Sequence, residues 1–478
     1  MNSLRTSKQR VKIGFQGIVN SVDEDLVDFA YAKKAFNVSF DKGILTSNIG
    51  IDKAQGFLSE TTRFDLPVMA SSKQIKNVFH YRYYNAGAID HKIIAQLTDG
   101  TFWQTKLLSQ AGWVQIAGLS VLGDVEGINY RFDGEDIMLF ASENAPLAYL
   151  KGDVVTMLSD APHFASIEVY NERVFGCVNG ANTRLWFSDD FNPANWEVSS
   201  EGAGYIDFVD ECGDLLKAVA FLGHLYVFRD YGIFRLIGYG DQSTFTLKRV
   251  FTDTGRIYKH TIVNAGDKIL FLADEGLFAF DGYDVVRIAK ELPDLDDKEY
   301  AVGAYFDKKY FLACKADVDA QYEFEEDVAN SVIVLDLFDK SISMLAGVSV
   351  CALVSAKTHF GGEVICAFKT AYTNRLGALS KSGKIFTNNL KKKYVSPRLD
   401  MGVAAFKTVR FLSVKTSYDL TLKVVLDGTA YAFDVEGKDA PQQVVVEKAG
   451  KTIGFEISTE EQNLNVRPIV AVIDVMQE

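Results

Sequence analysis

Histidines, acidic clusters, tryptophans and cysteines are the residues of this chain whose types could do chemistry, so their spacing comes first. The six histidines are His80, His91, His163, His224, His260 and His359, and none shows HxH or HExxH spacing. No local pattern therefore places two imidazoles on one metal, and a hydrogen-bonded structural role at strand starts is expected. Two acidic clusters offer oxygen ligands: Asp294, Asp296, Asp297 and Glu299, then Glu323, Glu325, Glu326 and Asp327. Neither has the DxDxDG pattern of a calcium loop. The second lies in an insertion, ADVDAQYEFEEDVAN, and reads as a solvated loop. Cys177, Cys212, Cys314, Cys351 and Cys366 are odd in number, far apart and without a CxxC pair. Buried reduced thiols are expected. There is no GxSxG, no P-loop and no GxGxxG opening a helix. No catalytic, metal or cofactor-binding residue is assigned, and no cofactor is expected.

Carbohydrate chemistry has a weaker footing. Paired carboxylates across a channel would suit glycoside hydrolysis, but the chain has too many to single out a pair. Trp103, Trp113, Trp186 and Trp196 could stack on sugars, yet large aromatics more often fill cores. The stretch LWFSDDFNPANW at 185–196 shares Ser, Asp and Trp with an SxDxGxTW box but lacks its Gly and Thr spacing. Asn192-Pro193 reads as turn chemistry.

The elements that must position these residues repeat. GHLYVFRDYGIFRLIGYGD at 223–241 and DKILFLADEGLFAFDGYDVVRI at 267–288 each give strand, Gly-containing turn and strand. Comparable strands start at 92, 136, 173, 224, 268, 309 and 363, about 45 residues apart, inside the roughly 40–50-residue period of propeller blades. Apolar runs before and after, such as LLKAVAFL and TFTLKRVF, supply an inner and an outer strand. The expected fold is an all-β propeller of about seven four-stranded blades, six being possible, over residues 67–395. A pair of β-sandwiches is the competing arrangement. The turns Asp230-Tyr231-Gly232 and Asp274-Glu275-Gly276 are expected to use Gly for positive φ.

Residues 1–66 read as an irregular docking segment. Within it, 1–12 form an arm ordered only by a partner, 22–35 hold a short helix, and Asp41-Lys42-Gly43 makes a turn. Residues 396–478 alternate as an antiparallel β-sandwich with a hairpin at Asp427-Gly428. Lys391-Lys392-Lys393 between the two reads as a solvated linker.

The net charge of −13 argues against general nucleic-acid binding. No window offers eighteen uncharged apolar residues, and the polar, basic N-terminus lacks a signal-peptide core, so no membrane insertion is expected.

A family resemblance rests on 170–196, YNERVFGCVNGANTRLWFSDDFNPANW, followed by GYIDF and the two strand pairs above. Together with FNVSFDKGILTSNIG near the N-terminus and KTIGFEISTE near the C-terminus, this order resembles bacteriophage tail-associated propeller proteins of the nozzle, hub or head–tail connector type. The resemblance implies a non-catalytic virion structural protein, made in the host bacterial cytoplasm and residing at the tail or head–tail junction. Its partners would be copies of itself in a ring and tail-tube, adaptor or portal-type proteins. DNA could pass through the ring without sequence-specific binding. The alternative is a host-surface glycan binder or carbohydrate-active propeller of a virion. The WD and Kelch repeat marks are absent. If residues 1–66 serve only to clasp neighbours, their loss should leave the fold intact.

Overall fold

In a computed structural model, residues 6–19, 27–180, 183–199, 202–238, 244–251, 254–289, 292–325, 328–402 and 404–476 are described. Strands dominate, with short 3-10 turns and no α-helix among the described residues, so no helix crosses a membrane. The described part of 22–35 contains Tyr31–Ala32 and Lys34–Phe36 as short strands instead of the expected helix; 20–26 lie outside the described residues.

Seven antiparallel sheets follow one another along the chain. Their inner strands begin at Ile75, Glu126, Ser166, Leu215, Val263, Val302 and Val350. The strands recognised in the sequence are the second strands of these blades, such as His224–Arg229 and Lys309–Ala316. Each buries a nearly continuous apolar run, as Ile269–Ala273 does, because it is covered by blades on both sides. The inner strands of consecutive blades lie side by side, and the strand of blade 7 lies against that of blade 1, which closes the ring. Gly276 takes φ 127°, but in the neighbouring unit positive φ falls on Leu222 (47°) and Gly223 (77°), not on Gly232.

The seventh blade is completed from the other end of the chain. After Val350–Thr358, Gly361–Phe368 and Gly377–Ser380, its outer strand is Gly50–Lys53, with Ile51 opposite Leu379. The hairpin of Gln55–Phe57 and Arg63–Asp65 covers the seam to blade 1. Phe57 N donates to Leu107 O at 2.7 Å, and Gln55 N donates to Glu363 Oε1 at 2.7 Å. Gly56 is required here: a Cβ would lie 2.1 Å from the Phe64 ring.

The same N-terminal chain enters the sandwich. Thr6–Ile13 pairs along its whole length with Ile469–Met476. Lys34–Phe36 pairs with Lys392–Val395, and the Ser39–Asp41/Ile44–Thr46 hairpin, turning at Lys42 (φ 49°) and Gly43 (φ 81°), joins Asn465–Val466. The sandwich therefore does not begin at 396, and residues 1–66 are not a separate docking segment. The residues of the expected arm that are described, 6–12, need no partner molecule to order them, since their partner strand is in the same chain. The hairpin at Asp427-Gly428 forms as expected, with φ 47° and 86°.

Propeller and sandwich share one apolar core, which runs from Leu272 and Leu312 of blades 5 and 6 through Phe36 and Val38 to Val424 and Ile473. Asn37, fully buried at φ 58°, sits at this junction. It accepts from Ala346 N and donates to Lys391 O, both at 2.8 Å. The acidic insertion is not simply solvated: Asp317 pairs with Lys34 at 3.3 Å, Asp319 with Lys393, and Tyr322 packs on Phe36. Glu323 and Glu325 are exposed, while 326 and 327 lie outside the described residues. The lysine run is likewise not a solvated linker. Lys392 is 2% exposed, and its Nζ donates to Gly383 O, Leu390 O and Glu461 O at 2.7–3.1 Å. Burial pulls its ammonium down to about 8, against the pull of Glu461.

Candidate functional site

Inner strands of propeller blades leave one edge unpaired, and its N–H and C=O groups need partners. Neighbouring blades supply them here. Asn77 donates to Val125 O (2.9 Å), Asn129 accepts from Arg82 N (3.0 Å), and Asn264 donates to Ala220 O (3.1 Å). Glu126 accepts from Ser166 Oγ (2.7 Å) and Ile167 N (3.3 Å). These strands enclose an axial channel of about 1070 Å³.

Charges bridge the channel wall. Lys259, in the short turn leading into blade 5, donates to Asp124 Oδ2 (2.8 Å) at the entrance to blade 2 and to Ala165 O (2.6 Å) before blade 3. His260 Nε2 lies 3.3 Å from the same Asp124 oxygen. Lys217 of blade 4 stands 3.6 Å from Glu126. Burial would raise both carboxyls, but His260 and Lys259 hold Asp124, and Lys217 and Lys259 hold Glu126, below the usual carboxylate range. The network ties blade 2 to blades 4 and 5, which are not its neighbours in the ring.

Glu168 behaves oppositely. Burial pushes its carboxyl up to about 7, although Val169 N donates to it at 2.8 Å and Ala220 N–H also bonds it. Between pH 4.5 and 7 the folded chain holds a proton that the unfolded chain has lost. Stability is therefore greatest below pH 4.5 and declines as pH rises to 7, by about 2–3 kcal/mol for this group. Glu168→Gln keeps an acceptor for the two N–H groups. It is expected to raise stability by about 2 kcal/mol at pH 8 and to change it little at pH 4.5, measured by urea unfolding at both values; equal effects at the two pH values would refute the assignment.

Three histidines far apart in sequence meet at blades 7 and 1. His80 Nε2 and His91 Nδ1 are 2.9 Å apart, and the His359 ring lies 6.4 Å from that of His91. Burial first, then the neighbouring imidazole and Arg82, pull His80 and His91 down to about 4. No group of ligands able to hold a metal occurs among the described residues. His163 bonds Glu143 O at 3.1 Å, and His224 packs edge-on to Tyr226. Of the first acidic cluster, Asp296 sits in a strand bridge to Lys315 and Glu299 pairs with Arg256.

The tryptophans fill blades. Trp196 is buried against Phe164, with Nε1 donating to Pro193 O at 2.8 Å. Trp113 Nε1 donates to Pro67 O, Trp103 packs beside it on the blade 7/blade 1 core, and Trp186 packs on Tyr205. The cysteines are free, four buried and Cys351 half-buried, and burial pushes the Cys177, Cys314 and Cys351 thiols up to about 12.

The motifs that carried the family resemblance are scaffold. Arg173 of NERVF is buried, with NH1 donating to Ser188 O and Gly202 O at 2.8 Å and Nε pairing with Asp190 at 2.7 Å. Arg229 of HLYVFRD is buried against Gly213 O and Asp210.

No sequence motif singled out Asp124, Glu126, Glu168, Lys217 or Lys259. One signal was present: Gly123-Asp124-Val125, Gly213-Asp214-Leu215 and Gly255-Arg256-Ile257 recur at the entrances to blades 2, 4 and 5. Their glycines take φ 92°, 82° and 69°, and Asn144, Asp230 and Asp274 stand within 2.6 Å of where a Cβ would be, so both backbone and space call for Gly.

The fold thus defines an all-β protein, a seven-bladed propeller interlocked with a β-sandwich. No protein-family model matches the chain, and no curated protein does. It is similar to solved propeller structures at low scores. One is BBS1N in complex with ARL6DN, soaked with lead (TM-score 0.42, 9% identity, 71% of this chain and 98% of that chain). Another is a quinonprotein alcohol dehydrogenase-like protein from Bacteroides thetaiotaomicron (TM-score 0.35, 11% identity, 56% of this chain and 66% of that chain). Neither likeness bears on what this chain binds or does.

Proposed function

We propose that this chain is a non-catalytic structural subunit of a phage-type tail or head–tail connector that assembles with copies of itself into a ring. The observation that carries this reading is the exposure of apolar side chains at two separate places, the outer strands of blades 1 and 2 and one end of the sandwich. On blades 1 and 2 the outer strands Val114–Ser120 and Val154–Leu158 lie side by side, and Val114 (60%), Val154 (67%) and Met157 (44%) are exposed along them, Val154 and Met157 on opposite faces of their strand. Across the propeller, beyond blades 5 and 6, the sandwich exposes Phe406 and Met476, joined by a Met476 N to Phe406 O bond. Two unlike apolar surfaces suit a head-to-tail contact, which gives a ring where its rotation closes, and exposed apolar surface marks interaction sites. The order of motifs along the chain supports the phage-tail class.

The test is the mass of the purified chain at micromolar concentration, alone and within isolated particles. The wild type is expected to form a discrete ring. The double variant Val154→Glu/Met157→Glu, which buries two unpaired charges at the contact, is expected to weaken association about 100-fold or more. A wild type monomeric at all concentrations would contradict the reading.

A second reading is favoured by one feature. A shallow pocket of about 450 Å³ on the turn face of blades 1 and 2 gathers Arg82, Tyr84, Ile89, Asn129, Arg131 and Asp136. An exposed phenol ring beside forked polar groups suits a saccharide. Retention of a glycan by the wild type but not by Tyr84→Ala would favour a host-surface binding role.

A further inference from the structure

Charge accounting in the axial channel leaves a remainder. Asp124, Glu126, Lys217, His260 and Glu299 line it, all with opposite-charge partners, and Glu168 lines it with its carboxyl bonded by Val169 N–H. Lys76 and Lys369 line the same channel, both half-buried, and neither has a carboxylate within 4.0 Å among the described residues. Half-burial removes part of their water without supplying a counter-charge, which is costly unless something anionic arrives.

The two lysines belong to one mouth of the channel, at the junction of blades 7 and 1. Lys369 N donates to Ser349 O at 2.8 Å, and Gln74 reaches Phe368 O at 3.3 Å. Cys351 Sγ donates to Ile75 O at 3.4 Å, so the irregular start of the blade 1 strand, where Lys76 sits, lies beside the same segment. Lys369 Nζ lies 5.4 Å from the centre of the Tyr300 ring, which also lines the mouth. Ser349 supplies an independent observation. The residue lines the channel and is 1% exposed, and its buried hydroxyl has no hydrogen-bond partner, whereas buried hydroxyls are almost always bonded. The rest of the wall carries Val78, Ile128, Val219, Ile262 and Leu353 among polar side chains such as Asn129, Glu168 and Asn264.

We propose that the channel mouth formed by Lys76, Lys369 and Ser349 binds an oxyanion headgroup, carboxylate or phosphate, carried by a small molecule with an apolar body that lies along the channel wall. Two ammonium groups and a hydroxyl donor converge on the headgroup. The volume exceeds that needed for a bare ion and suits an organic guest.

The test uses the full-length chain and its thermal midpoint at constant ionic strength, with inorganic phosphate, octanoate and octyl phosphate as probes. Ligand that binds only the folded chain raises the midpoint in a saturable way. The wild type is expected to respond to all three probes, and to the two with a tail at concentrations at least tenfold lower than to phosphate. Preference between octanoate and octyl phosphate identifies the headgroup. Lys76→Met/Lys369→Met is expected to lose the response at least tenfold, and Ser349→Ala to weaken it several-fold. Lys381→Met, which removes an exposed charge elsewhere, is expected to leave it unchanged. No saturable shift in the wild type, or an equal shift in the double lysine variant, would overturn the proposal. Should the double variant fold poorly, Ser349→Ala against wild type decides alone.

Discussion

Deleting residues 1–57 is expected to abolish folding, not to trim an appendage. The deletion removes Gly50–Lys53, the outer strand of blade 7, and with Phe57 a hydrogen bond across the seam to Leu107 of blade 1. It also removes Thr6–Ile13 and Lys34–Phe36 from the two sandwich sheets. Ile13, Phe15, Phe36, Val38, Leu45, Ile51 and Phe57 go with it, each no more than 1% exposed. At about 1.5–3 kcal/mol for each buried side chain, the loss is about 10–20 kcal/mol, as large as the whole stability of a typical domain. Circular dichroism and limited proteolysis of the truncated chain are expected to show no cooperative fold. A milder probe, Ile51→Ala, is expected to cost about 2–5 kcal/mol. A soluble, cooperatively melting truncation would mean that the remaining chain closes without its clasp.

The second large effect is at Arg173. Replacement by Met is expected to cost about 3 kcal/mol in chemical denaturation, because Ser188 O and Gly202 O lose their donor in a dry site. Asp190 is half exposed, so Asp190→Asn is expected to cost under about 1 kcal/mol. The asymmetry separates a structural guanidinium from a surface ion pair. Comparable losses for the two variants would contradict it.

Much of the propeller was legible because its second strands bury both faces and read as unbroken apolar runs, such as ILFLA at Ile269–Ala273. The outer strand of blade 7 was not legible. Gly50–Lys53 carries one fully buried side chain, Ile51, and its partner strand lies more than 320 residues away, so no local periodicity marks it. Thr6–Ile13 was misread for a related reason: an edge strand with Lys8, Arg10 and Lys12 on its solvent face looks like a charged arm. Lys392 looked solvated because a lysine run does not show that its own chain folds back to offer Gly383 O and Leu390 O while Glu461 O arrives from 69 residues away. The channel residues were hidden because their partners come from other blades, as Lys259 reaches Asp124 across 135 positions. Only the recurring Gly at blade entrances marked their places.

The claim on which the rest depends is that the chain is one interlocked body, clasped by its N-terminal segment. Hydrogen exchange of the amides in 50–54 and 377–380, compared with a central strand such as Ile269–Ala273, tests it most directly. The account predicts that both groups exchange only through global unfolding and with the same denaturant dependence. Exchange of 50–54 through a smaller, local opening, while Ile269–Ala273 stays protected, would contradict it.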